Sequence, residues 1–133
     1  MIEFEGLLLQ FAGSLLAILA LFGLAKWLGL GGKPKFHSEA DVAKAADEVV
    51  SGFLPKRVSI ARDGSAALAR NGQGQIMLIK RHGNRFAGRI LTSSAQVREE
   101  VDGLVIDPKE TQFGQVRLSL KDASTWADAI NRL

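Results

Sequence analysis

The chain reads as an α+β protein: one N-terminal transmembrane helix, then a mainly antiparallel β domain of about seven strands, flanked by an N-terminal and a C-terminal helix. Three observations predict this. Residues 6–25 (GLLLQFAGSLLAILALFGLA) contain no charged side chain, and only Gln10 and Ser14 interrupt the apolar run. From Lys56 onward the apolar pattern alternates, with Gly-containing turn signals at short intervals. On either side of that stretch, apolar residues recur at helical spacing. The organisation expected is an anchor over 1–28, a Gly/Pro linker over 29–37 and a β-rich domain over 38–133.

Twenty residues of helix span about 30 Å, the thickness of a bilayer's hydrocarbon core. A lone segment in lipid must satisfy its own backbone hydrogen bonds, which makes it a helix. A secretory signal would open with basic residues, whereas Glu3 and Glu5 precede this run, and Leu28-Gly29-Leu30-Gly31 is a poor cleavage site. A soluble core helix of this kind would need a larger domain around it than the rest of the chain supplies. No Lys or Arg precedes the run, while Lys26, Lys33 and Lys35 follow it. The positive-inside rule therefore puts the N-terminus outside and the domain in the cytoplasm. Lys26, Trp27, Lys33 and Lys35 are the expected interface residues: Lys26 snorkels, Trp27 sits at headgroup level, and the lysines attract anionic lipid by about 1 kcal/mol each. The absence of Cys fits a reducing compartment. Within the span Gly6, Gly13 and Ala20 recur every seven residues, and Gly13 with Ala17 makes a small-xxx-small pair. Such a face lets another helix approach closely, from a second copy or another subunit. Small residues are also common in membrane helices that have no specific partner.

The domain's elements follow in order. Ser38 opens a capping-box-like S-E-A-D, and Val42, Ala45, Ala46, Val49 and Phe53 predict an amphipathic helix of about four turns, stopped by Gly52 and Pro55. RVSIAR and SAALAR flank a hairpin turn at Asp63-Gly64. Asn71-Gly72-Gln73-Gly74 is a loop leading into QIMLIKR, which turns at Gly83-Asn84 into RFAGRIL. QVREEV turns at Asp102-Gly103 into LVID, and QVRLSLK follows a longer loop. Asp122 is placed to cap a closing helix with Trp126, Ala129, Ile130 and Leu133 on one face.

Seven strands and a closing helix that carries Trp126, in the segment VRLSLKDASTWADAI, resemble the pleckstrin-homology-like (PH-like) fold, whose last helix commonly buries a Trp. The resemblance implies a curved sheet or partly open barrel serving as a binding or scaffolding module. It departs from the phosphoinositide-binding members, whose long basic first loop is here the short Asp63-Gly64 turn, and from the family's usual order in having a helix before the first strand. The chain also resembles small bacterial single-pass proteins rich in Ala, Gly and Arg, which makes the bacterial inner membrane the expected location.

No acidic residue lies between Asp63 and Glu99, a stretch that holds Arg70, Lys80, Arg81, Arg85, Arg89 and Arg98. A turn at Gly83-Asn84 pairs His82 with Arg85, Lys80 with Ala87 and Leu78 with Arg89. Cross-strand partners share a face, so Lys80, His82, Arg85 and Arg89 point the same way. Met77, Ile79, Arg81, Phe86, Gly88 and Ile90 form the opposite face, turned to the core. The cationic face suits phosphate or carboxylate groups, with membrane headgroups the nearest. It is equally the pattern of a solvated face guarding an exposed strand.

Other chemistries have less behind them. From Phe36 onward, 14 Lys/Arg stand against 12 Asp/Glu, and the basic stretch holds one aromatic, Phe86, so no stacking platform for nucleic acid is expected. The two histidines, His37 and His82, have no ligand partners at metal spacing. NGQG leads into a strand rather than the helix N-terminus a phosphate cradle needs, and no cofactor is expected. Three functional readings follow. The first is a non-catalytic accessory or scaffolding subunit of a membrane protein complex. The second is a tethered module binding anionic lipid or an acidic protein segment. The third is an enzyme whose site is assembled from distant residues.

Alkaline carbonate should leave the protein in the membrane pellet, because twenty uncharged apolar residues are too costly to expose to water. Recovery in the soluble fraction, or a mature chain beginning near Gly32, would contradict the anchor.

Overall fold

The computed structural model describes residues 2–27 and 34–133, and the chain divides into an N-terminal unit and a domain beginning at Pro34. The described part of the N-terminal unit is one helix, α1 (Ile2–Trp27), with Glu3 and Glu5 in its first turn and Lys26 in its last. From Glu3 to Trp27 none of its side chains is buried, and this stretch is long and apolar enough to cross a membrane. Residues 28–33, including most of the expected linker and Lys33, lie outside the described residues.

In the domain, α2 (Glu39–Val49) starts at Ser38, whose hydroxyl accepts the Asp41 N–H at 3.4 Å. The Asp41 carboxylate reaches back to the N–H of His37 at 2.9 Å, one residue before the usual capping-box partner. The helix runs three turns rather than four. Phe53 is buried from beyond the helix, because Gly52, at φ +83°, turns the chain back towards the sheet.

Four strands, β1 (Pro55–Ile60), β2 (Ala66–Asn71), β3 (Ile76–His82) and β4 (Arg85–Ile90), form one antiparallel sheet in chain order. A second sheet joins β5 (Gln96–Glu100), β6 (Gly103–Asp107) and β7 (Val116–Ser119), and α3 (Ala123–Asn131) closes the chain. Seven antiparallel strands between two helices are the architecture the alternation predicted. The hairpin register is also as expected, with His82 opposite Arg85, Lys80 opposite Ala87 and Leu78 opposite Arg89.

One turn differs. Glu100 pairs with Gly103, so the two-residue turn is Val101-Asp102 and Gly103 belongs to β6. A Cβ on Gly103 would lie 1.8 Å from the Leu118 carbonyl oxygen, so its glycine serves a close approach of β6 to β7 rather than a turn conformation. Val101 stands fully exposed at the tip.

The four-stranded sheet is buried on both faces. Ala67, Ala69, Met77 and Ile79 meet Val42, Ala45 and Ala46 of α2, together with Phe36 and Phe53. Leu68, Ile76 and Leu78 face Leu104, Ile106 and Leu118 of the second sheet and Trp126, Ala127 and Ile130 of α3. At one corner the sheets meet through Arg62 N–H and the Ser119 carbonyl at 3.0 Å.

Asp122 stands at the start of α3 but bonds no helix N–H with its side chain. Its carboxylate instead accepts from Ser59 Oγ at 2.7 Å, Arg57 at 3.0 Å and Trp126 Nε1 at 3.1 Å, joining α3 to β1. Burial is the largest single influence on this carboxyl and opposes its charge. The hydrogen bonds from Ser59, Arg57 and Trp126 together outweigh it and hold the group below its ordinary value.

Trp126 is 1% exposed, and its indole N–H also donates to Ser59 Oγ at 2.8 Å. Trp126→Ala should destabilise the domain by about 3–5 kcal/mol in urea unfolding, through the cavity it leaves and the partners it strands. A loss below about 1 kcal/mol would make α3 peripheral to the fold.

Candidate anion-binding hairpin

The cationic residues singled out in the sequence sit on the β3–β4 hairpin. Its tip is Gly83-Asn84, with Gly83 at φ +65° as the first residue of a II′-like turn. The face carrying Lys80 and Arg89 is also the face of Leu78 and Ala87, which pack towards the second sheet. It is therefore not an outer face along its length, and its charges divide into two groups.

Lys80 and Arg89 are held by the loop between β6 and β7. Lys80 Nζ donates to the Phe113 carbonyl and lies 4.5 Å from the centre of the Phe113 ring. The Arg89 guanidinium is 5.2 Å from the same ring, and its Nε donates to Glu110 at 2.5 Å. Phe113 is buried, so two cations grip one aromatic side chain and fasten the loop to the hairpin. The half-exposed Arg89–Glu110 pair adds at most about 1 kcal/mol and mainly positions the loop. These charges are engaged within the domain.

His82 and Arg85 are exposed at the hairpin tip, and among the described residues neither makes an ion pair or a side-chain hydrogen bond. On the opposite face, Arg81 donates to the Pro34 carbonyl at 3.1 Å, and Phe86 stacks on Phe36 with ring centres 3.8 Å apart. Residues 34–37 thus belong to the packed domain. Lys35 is exposed, with its stem lying against the Gly64 turn. Beside it, the Ser65 hydroxyl and then its N–H donate to the Asp63 carboxylate and hold that carboxyl below its ordinary value, with the Arg81 charge adding to the effect.

The anchor residues lie on α1. At about 100° per residue, Gly6, Gly13, Ala17 and Ala20 fall within about 60° of arc, forming one stripe of small residues. Lys26 and Trp27 are exposed in the last turn. Among the described residues no three His, Asp or Glu side chains converge as a metal ion would require.

Sequence reasoning missed Phe113 and Glu110. The available signal was an isolated aromatic in an otherwise polar loop, between Gln112 and Gly114. No protein-family model matches the chain, and no curated protein or solved structure is similar enough to it to count as a match.

Phe113→Leu keeps most of the apolar volume but removes the ring face under both cations. It should cost about 1–2 kcal/mol in urea unfolding, from two contacts worth about 0.5–1 kcal/mol each. An unchanged midpoint would mean that the cations do not hold the loop.

Proposed function

We propose that this is a single-pass protein of a bacterial inner membrane, with its N-terminus outside and its 34–133 domain in the cytoplasm. In this reading it is a non-catalytic accessory or scaffolding subunit of a membrane protein complex. The observation that carries it is α1, apolar on every side and with no buried side chain from Glu3 to Trp27, in a chain whose domain has its own two-sided core. A helix of that composition needs lipid or other helices around it. The stripe of Gly6, Gly13, Ala17 and Ala20 suits a neighbouring helix from another subunit or a second copy. The order of four strands, three strands and a Trp-bearing closing helix supports a PH-like interaction domain, although a fold does not itself name a function. A second reading, a tethered module for anionic partners, is favoured by the exposed side chains of Arg85 and His82 at the hairpin tip and is narrowed by the engagement of Lys80 and Arg89.

Purification of the tagged full chain in mild detergent should recover a stoichiometric membrane complex, and Gly13→Leu with Ala17→Leu should dissociate it while the domain stays folded. A C-terminal reporter should be active on the cytoplasmic side, because the near-flank lysines all follow the helix. A monomeric, partnerless protein, or a reporter active only in the periplasm, would sink the proposal.

A further inference from the structure

We propose that the corner at which the chain enters the domain is a membrane contact, where Lys35, Arg62 and Arg85 rest on the headgroups of anionic phospholipids. This rests on the reading of α1 as an anchor. Three segments build the corner: residues 34–36, the turn between β1 and β2, and the tip of the β3–β4 hairpin. The entering chain is fixed there by four contacts. Phe36 N–H donates to the Gly64 carbonyl at 2.9 Å, Arg81 donates to the Pro34 carbonyl, and the Phe36 ring stacks on Phe86. Lys35 packs on Gly64 so closely that a Cβ there would lie 3.0 Å from that of Lys35. Gly64 also has φ +72°, so the turn excludes ordinary side chains on two counts.

Chain length then selects the membrane as the partner. Six residues separate Trp27 from Pro34, so seven backbone steps of at most about 3.5 Å each let the chain reach roughly 25 Å. The seven residues of β3 alone extend about 23 Å away from this corner. The entry corner is thus the part of the sheet closest to the point where a helix-borne tether attaches, while the Asn71–Gln75 loop lies at the opposite end of the strands.

Charge agrees with that placement. Lys35, Arg62 and Arg85 are exposed, and among the described residues none makes an ion pair. The acid beside them, Asp63, is hydrogen-bonded to Ser65 and lies near Arg81. Each exposed cation brought to an anionic leaflet favours the docked state by about fivefold, so the three together suffice to hold a tethered domain in one orientation. The effect fades beyond a Debye length of about 8 Å, which restricts it to this corner.

The chain contains no cysteine, so single reporters can be introduced into the full-length protein. Asn84→Cys at the hairpin tip and Gln73→Cys at the far loop would each carry a fluorophore. The labelled proteins would be reconstituted into vesicles of phosphatidylcholine alone or mixed with phosphatidylglycerol, with a quencher on the lipid headgroup. The Asn84 label should be quenched at least twofold more in the anionic vesicles, at low salt only, and the Gln73 label in neither. Arg62→Glu with Arg85→Glu should abolish the difference, while Arg98→Glu, on the second sheet, should leave it intact. Equal quenching of the Asn84 label in both lipids, or quenching of the Gln73 label to the same degree, would overturn the proposal. So would a double variant that loses a protein complex in detergent yet keeps its lipid-dependent quenching. Flotation separates the two readings. Protein that floats with both vesicle types but shows no lipid dependence refutes the docking alone, and protein that floats with neither refutes the anchor and the docking together.

Discussion

The domain depends on β2 and β3 being buried on both faces. Their residues alternate between two cores: Leu68, Ile76 and Leu78 go to the second sheet and α3, while Ala67, Ala69, Met77 and Ile79 go to α2. Both sets are apolar, so polarity alone does not fix which side is which. Size does. Ala67 and Ala69 give α2 the room to lay Ala45 and Ala46 close to the sheet, whereas Leu68 fills the wider gap between sheets. A one-residue slip would exchange the sets and put leucine where only alanine fits. On β4 the same closeness appears at Gly88, where an added Cβ would come within 2.9 Å of Val49.

Local pattern carried the reading of the sequence wherever the deciding interaction was local. The Gly83-Asn84 turn set the whole β3–β4 register, because a two-residue hairpin leaves no freedom in pairing. Asp102-Gly103 misled by the same logic. Gly103 has the composition of a turn residue, but the backbone of β7, some fifteen positions later, is what requires it to lack a side chain. Asp122 is a similar case. Its position suits a helix cap, yet Ser59 and Arg57 from a distant strand compete for the carboxylate and win, since several donors, one of them a guanidinium, outweigh a single cap to an N–H. Phe53 fits the helical spacing of α2 and shares its core, but reaches it from beyond the helix end.

The charged hairpin shows what alternation leaves out. Lys80 and Arg89 do share a face with Leu78 and Ala87, as the pairing required. What lies opposite that face depends on how the two sheets meet, which no local spacing encodes. The cations stay near the rim of the inter-sheet core because their stems are apolar and their heads find an aromatic face, a carbonyl and a carboxylate. Arg85 and His82, three residues apart at the tip, escape that enclosure only because the strands end there.

The docking of residues 34–37 on the sheet has a mechanical consequence. Tension arriving along the chain from residue 33 meets the Arg81–Pro34 hydrogen bond first, then the Phe36–Gly64 bond and the Phe36–Phe86 stack, one after another. Contacts loaded in series peel singly, so this segment yields before α2 or either sheet bears load. Withdrawing Phe36 costs about 1.5–3 kcal/mol of lost burial and releases four residues, whose fully extended length is roughly 14 Å. Peeling of this segment therefore leaves the double-sided sheet intact, because none of its contacts belongs to the pairing of β1 to β4.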